Sequence, residues 1–260
     1  METRTRRAGV VVPSGNATVE PEFQQLLSHW GAVYAARLPV FPDRDLRQRL
    51  EGYNDSARSV IEGFGRLELD AVVIACSGGH YLQGPEADRE FCLGLSHRLG
   101  VRVVSVTQAI VECFRAYGLT GMTLVSPYAP WLTELSVAYW EAAGLRVDGV
   151  VSVESAKGFS PYDVTTDDLV RQVRDARLPG NGPLLFTGTG MPTLGALRTL
   201  REDHRTLLTS NLCGAWWAVN AGGGWSEEAF EDWPVPGVAT GRPARPVLLQ
   251  ETSLGTAESA

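Results

Sequence analysis

Asp70-Ala-Val-Val-Ile-Ala-Cys-Ser-Gly78 is the stretch on which the fold turns. Its apolar run, Ala71–Cys76, is rich in β-branched residues and stops at Cys76-Ser77-Gly78-Gly79. A short continuous apolar run closed by glycines reads as a strand buried on both faces, the kind found in parallel sheets. A second stretch of the same form, Gly182-Pro-Leu-Leu-Phe-Thr-Gly-Thr-Gly190, lies 112 residues further on. The strand Ala8–Pro13 and the strand Gly121–Val125 repeat at an offset of 113. Val103–Gly118 over Leu207–Gly222 needs an offset of 104, so the second copy is shorter by about eight residues.

Between these strands the chain alternates with helical patterns. Helices are expected from about Thr18, over Asp55–Leu67, over Glu86–Leu99 and up to Tyr117. In the second half they are expected over Leu132–Ala143, Thr166–Ala176, Thr193–Glu202 and Leu212–Asn220. Further strands fall near Val33–Leu38, Arg102–Val106, Arg146–Val153 and Thr206–Thr209. Pro39–Arg49, polar and Arg-rich, reads as a loop or lid, and Ala156–Thr166 as an irregular loop. The expectation is an α/β fold of two pseudo-symmetric lobes, each a parallel sheet flanked by helices. Residues 1–117 with 212–240 form the first lobe, 118–211 the second, and 241–260 an extended tail. From Trp225 the Pro-containing segment reads as extended and partly disordered. Ligands of open α/β sheets bind outside the carboxyl ends of the strands. The loops at 13–16, 76–79, 126–128 and 187–190 lie at such ends, and facing lobes bring them into one cleft.

Bulk properties narrow the function. The 260 residues carry a net charge of −7 and 44% hydrophobic residues, with no basic stripe beyond the first seven. That argues against nucleic acid as a partner. No apolar run approaches the ~18–20 residues of a bilayer span, so no membrane partner is expected. The basic Met1–Arg7 precedes only Ala8–Pro13, too short for a secretory h-region, so a cytoplasmic protein is expected. Cys76, Cys92, Cys113 and Cys213 fit no zinc spacing and are expected as thiols, with no metal site.

Cys76 is the candidate catalytic residue. It follows a buried strand and precedes glycines that can turn N–H groups toward an anion. A helix starting there would lower its pKa and favour thiolate. The mirrored Thr187-Gly188-Thr189-Gly190 offers N–H groups and two hydroxyls for a carboxylate and its enediolate. Ser77, Gly78, the amide of Asn16 and the phenol of Tyr128 complete the expected substrate site. Pro13 and Ser14 of the first loop, His80 four residues after Cys76, and Cys213 are secondary candidates. A turn Asn, a Tyr packed beside Pro127 and a structural His are the plainer readings of Asn16, Tyr128 and His80. Core packing is expected for Trp216 and Trp217.

Across nearly the whole chain to about Gly224, these residues resemble the aspartate/glutamate racemase superfamily. The likeness is to its maleate cis–trans isomerase and arylmalonate decarboxylase branch. It is carried by Val12-Pro-Ser-Gly-Asn-Ala-Thr-Val-Glu-Pro-Glu-Phe23, Cys76-Ser-Gly-Gly-His-Tyr81, Tyr128, Thr187-Gly-Thr-Gly-Met-Pro-Thr-Leu194 and Ser210-Asn-Leu-Cys-Gly-Ala-Trp216. The resemblance implies no metal, no organic cofactor, a small carboxylate substrate and a homodimer. It also implies two cysteines in racemases and isomerases, one per lobe, whereas here the second position is Gly188. Arylmalonate decarboxylases carry one, on the second lobe, the mirror of this chain.

Without a second thiol, two-base racemisation is disfavoured. Cis–trans isomerisation by covalent addition of Cys76 to an unsaturated acid is the leading expectation. Decarboxylation of a malonate-type acid, with Cys76 as proton donor to an enediolate, is the alternative. A lyase or hydrolase using Cys76 and His80, and a non-catalytic carboxylate-binding protein, come behind. The isomerases place a carboxylate-binding Asn in a second-lobe loop. Here that loop reads Lys157-Gly-Phe-Ser-Pro161, which argues against a dicarboxylate.

Overall fold

A computed structural model describes residues 5–201 and 206–222. The expected tail, Glu202 and the part of the first lobe beyond 222 lie outside these residues. The first sheet holds β1 (Arg6–Val12), β2 (Gly31–Arg37), β3 (Ala71–Ile74) and β4 (Val103–Ser105) in the order β2-β1-β3-β4. The second holds β5 (Gly121–Ser126), β6 (Arg146–Ser152), β7 (Leu184–Phe186) and β8 (Leu207–Thr209) in the order β6-β5-β7-β8. Every pairing is parallel. The two orders are the same, so the sequence repeat is a repeat of topology. β3, β5 and β7 are buried along their whole length, while the edge strands β2 and β6 are half-exposed. The outer strands β4 and β8 are buried as well, so apolar runs mark strands covered on both faces.

The helices are α1 (Val19–Leu26), α2 (Leu46–Glu62), α3 (Ser77–Gln83), α4 (Pro85–Leu99) and α5 (Val106–Ala116), then α6 (Pro130–Ala142), α7 (Thr166–Asp175), α8 (Thr193–Leu200) and α9 (Ser210–Gly222). Two of them differ from expectation. α2 begins at Leu46, inside the segment read as a loop, because Asp45 and Gln48 form a capping box there. α3 was expected only conditionally, as a helix that could start after Cys76, since Gly78 and Gly79 disfavour a helix by roughly 1 kcal/mol each. Packing against α2 overrides that cost. A Cβ at Gly78 would lie 3.0 Å from Leu50, and one at Gly79 2.6 Å from Asn54 Oδ1. The Asn54 side-chain amide donates to the Gly79 carbonyl at 2.8 Å. These glycines allow the close approach of α3 and α2.

α9 follows β8 but packs on α5, α1 and β3 of the first lobe. A Cβ at Gly214 would lie 2.9 Å from Phe23, so the approach is tight. Trp216 and Trp217 are buried, and Trp217 Nε1 donates to Glu112 at 2.9 Å. No helix among the described residues is long and apolar enough to cross a membrane.

Candidate active site

The strand-end loops of both sheets meet over a cavity of about 400 Å³. Cys76, Ser77 and Gly78 line it from the first lobe, with Pro13 and Ser14 beside them. Tyr128, Thr189 and Gly190 line it from the second, and Phe159 and Tyr162 enter from the 156–166 loop. Leu46, Arg49, Leu50 and Tyr53 form a wall from α2.

Cys76 is the residue before α3, with φ −139° and ψ 89°, and is 5% exposed. It is a free thiol, and it alone among the described cysteines lines this cavity. Burial pushes its pKa up to about 11, although the Gly79 N–H hydrogen bond opposes the shift. The expected helix-assisted thiolate is therefore corrected. The helix is a single short segment, and desolvation of the charged form outweighs it. At neutral pH the resting side chain is a thiol.

Tyr128 faces Cys76 across the cavity. Its phenol is held well above the usual range, chiefly by burial, with Tyr81 and Cys76 nearby. It is a neutral hydrogen-bond donor. Ser77 Oγ is buried and makes no hydrogen bond to protein. These two hydroxyls are free to meet a carboxylate oxygen.

Gly188 has φ +89°, and a Cβ there would lie 2.8 Å from Tyr128 Oη and 3.3 Å from Pro127. The place of a second-lobe thiol is thus filled by the Tyr128 phenol. Gly188 itself does not line the cavity.

Several expected site residues serve the joint between lobes instead. Asn16 is buried; its Oδ1 accepts from the Thr18 and Val19 N–H groups, and its Nδ2 donates to Thr189 Oγ1 at 3.1 Å. It is a helix-entry residue and an inter-lobe tie, outside the cavity lining. Thr189 Oγ1 in turn donates to the Ala75 carbonyl at 2.9 Å. Thr187 Oγ1 is hydrogen-bonded to Tyr81 Oη. Glu22 completes the joint: its carboxylate accepts from the Thr193 and Leu194 N–H groups at the start of α8, and from Asn211 at 2.7 Å. Sequence reasoning placed Glu22 in a first helical turn but had no signal for a partner in the other lobe.

His80 is fully buried, with Nδ1 2.8 Å from Asp88 Oδ1, and does not line the cavity. The Asp88 carboxylate also accepts from Ser105, Thr107 and Tyr139. His80 foremost, with the Tyr139 and Thr107 hydrogen bonds, keeps its pKa below the usual value despite burial. His80 therefore ties α3 to α4, and a Cys76–His80 couple is not formed. Cys213 sits in α9 beside Cys113, away from the cavity. Trp131 carries Arg47 over its ring at 5.1 Å and is likewise not in the lining. Among the described residues no group of three His, Cys, Asp or Glu side chains is placed to hold a metal ion. The Pro39–Arg49 segment, expected as a loop or lid, brings Leu46 and Arg49 to the lining as the first turn of α2. Leu50 and Tyr53, further along α2, are the lining residues that sequence reasoning missed.

Two duplicated parallel lobes with a thiol-bearing loop facing a glycine-bearing loop define the class: a pseudo-symmetric α/β protein with a single cleft cysteine. The sequence model of the family described as arylmalonate decarboxylase matches residues 8–229, and the chain belongs to that family. The maleate isomerase of Nocardia farcinica is 29% identical over 223 residues, 81% of this chain and 88% of the relative. That of Alcaligenes faecalis is 24% identical over 220 residues, 77% and 84% of the two chains. Among solved structures, a Nocardia farcinica maleate cis–trans isomerase variant carrying a covalently bound succinylcysteine intermediate matches with a TM-score of 0.73 at 24% identity, covering 83% of this chain and 92% of that one. A crystal structure of arylmalonate decarboxylase matches with a TM-score of 0.68 at 20% identity, covering 85% and 94%. At these identities both structures speak for the fold.

Proposed function

We propose that this chain is a cis–trans isomerase of a small unsaturated carboxylic acid, acting by covalent addition of Cys76. The observation that carries the reading is the single thiol at the cavity floor, with the opposite position closed by Tyr128. The curated relatives that are maleate isomerases, and the succinylcysteine adduct formed by one of them, support it.

The residues suit the following steps. Cys76 Sγ bonds to one alkene carbon, and the π pair moves onto the neighbouring carboxylate as an enediolate. The thiol proton passes to that enediolate oxygen, which is far more basic than a carboxylate. Ser77 Oγ and the Tyr128 phenol are the donors placed to hold the developing charge. The former double bond, now single, rotates. The proton returns to sulfur as the C–S bond breaks and the trans alkene forms. Because the proton makes a round trip, a thiol with a raised pKa is a workable starting state.

Proton NMR in heavy water tests the proposal. Maleate should convert to fumarate, and Cys76→Ala should abolish the conversion. Failure of wild-type protein to isomerise any cis-enoate would sink it.

A second reading is favoured by one observation, the protonated resting state of Cys76. A thiol is a ready proton donor, so decarboxylation of a malonate-type acid also fits. Carbon dioxide leaves, the hydroxyls hold the enediolate, and Cys76 delivers its proton to carbon. Phenylmalonate in heavy water would then release carbon dioxide and gain one deuterium. The proton arrives from the first-lobe face, so the product should have the opposite hand to that made by a second-lobe cysteine. The same proposal places the enzyme in the cytoplasm as a homodimer, which light scattering on the purified chain checks.

A further inference from the structure

Arg49 is the charged side chain in the cavity lining, and the lining contains no carboxylate to neutralise it. Several other described arginines are engaged. Arg37, Arg58, Arg146 and Arg171 each pair with a carboxylate. Arg44 and Arg47, its neighbours on the chain, lie over the rings of Phe41 and Trp131. Arg49 has no ion pair among the described residues, and its Nε is buried without a hydrogen-bond partner. A desolvated guanidinium donor left unpaired is costly, and proteins retain one where an anion meets it.

Its position is set by the fold. Leu50, the next residue, packs on Gly78 of the Cys76 loop. The phenol of Tyr162, across the same cavity, senses both the Arg49 charge and Cys76. Arg49 and the Ser77–Tyr128 hydroxyls therefore bound one space, with Cys76 on its floor. One carboxylate of a substrate falls to the hydroxyls, which leaves the guanidinium for a second anionic group. The surrounding Leu46, Leu50, Tyr53 and Phe159 offer an apolar wall for the carbon between.

We infer that Arg49 is a specificity residue: its guanidinium, presented by α2, is the group that binds the second carboxylate of the substrate. This deepens the proposed function and rests on the same cavity. It reverses the expectation drawn from the Lys157–Pro161 loop, which lacks an Asn: the second carboxylate is met from the first lobe, by α2.

The test uses a matched, unreactive pair: succinate and succinamate, which differ by one carboxylate exchanged for a neutral amide. Calorimetric titration of the full chain should show succinate binding roughly 10- to 100-fold tighter, the span expected of a charge-assisted bidentate contact. In Arg49→Leu the preference should collapse because succinate weakens while succinamate does not. Arg49→Lys should restore part of it, and Arg49→Gln serves if the leucine variant does not fold. A preference that survives in Arg49→Leu, an equal loss for both ligands, or no succinate binding to wild type overturns the inference. Turnover separates the two claims. If succinate selection depends on Arg49 but no cis-enedioate or malonate is turned over, the proposed function fails and the inference stands. If maleate is isomerised with an unchanged KM in Arg49→Leu, the inference fails and the proposed function stands.

Discussion

The loop after β3 and the loop after β7 occupy the same place in two copies of one topology, yet they are used differently. The first keeps its reactive groups available: Cys76 and Ser77 face the cavity, and Ser77 Oγ makes no hydrogen bond to protein. The second spends its groups on the joint. Thr187 is bonded to Tyr81, Thr189 to Asn16 and the Ala75 carbonyl, and the Gly190 carbonyl accepts from Thr18 Oγ1 at 2.7 Å. Duplication supplied two similar loops. One became the chemical face and the other the clasp. The difference explains why one thiol suffices here, since the clasp has no room for another.

The largest expected effect strikes the chemical face. Cys76→Ala should lower kcat by at least about 10³-fold, in line with loss of a nucleophile or proton donor. The chain should keep its fold, read by circular dichroism. A variant retaining a tenth of wild-type turnover would break the assignment of chemistry to the first loop. Next comes Tyr128→Phe, which removes the hydroxyl that faces Cys76. A drop in kcat of about 10²-fold is expected, as for a single oxyanion donor. An effect confined to KM would show that the phenol only positions substrate.

The clasp is probed by stability. Gly188→Ala places a Cβ in the left-handed region and against the Tyr128 phenol. It should cost about 1–3 kcal/mol in urea unfolding, as strained backbone does. Gly188→Cys should cost no less and should not create a racemase. A stable, two-thiol variant would show that the clasp could have remained a chemical face.

Much of this asymmetry was legible in the sequence, for physical reasons. Buried parallel strands are apolar throughout, so the repeat of Ala71–Cys76 in Pro183–Gly188, and with it the exchange of Cys76 for Gly188, could be read by offset. What was not legible depended on partners distant in sequence. Asn16 finds Thr189, and Glu22 finds Asn211 and the start of α8, across a lobe boundary that no local pattern records. α3 forms because Leu50 and Asn54 press on two glycines whose propensity opposes a helix. Arg49 was legible only as part of a loop or lid, because its place on a helix facing the cavity depends on the cap at Asp45. The charge state of Cys76 followed from burial, which position in the chain does not reveal.

The smallest effect separates the two loops by titration alone. Cys76 carries a pKa raised from 9.0 to about 11 by burial, and Gly188 carries no ionisable group. A raised folded-state pKa means that the folded chain holds its proton where the unfolded chain releases it. The stability that Cys76 contributes by staying neutral is therefore complete below pH 9 and is lost as pH rises through about 11. Linkage across that window gives a loss of about 1.4 kcal/mol between pH 8 and pH 10. Cys92 and Cys113 also have raised pKa values, but they are common to wild type and Cys76→Ala and cancel in the comparison. Urea unfolding of both proteins at pH 8 and pH 10 should thus show the wild type losing about 1.4 kcal/mol more than the variant. Parallel losses would mean that Cys76 titrates as a free thiol does. The thiolate would then be far more accessible near neutral pH, and the round trip of the proton would no longer be needed for addition to begin.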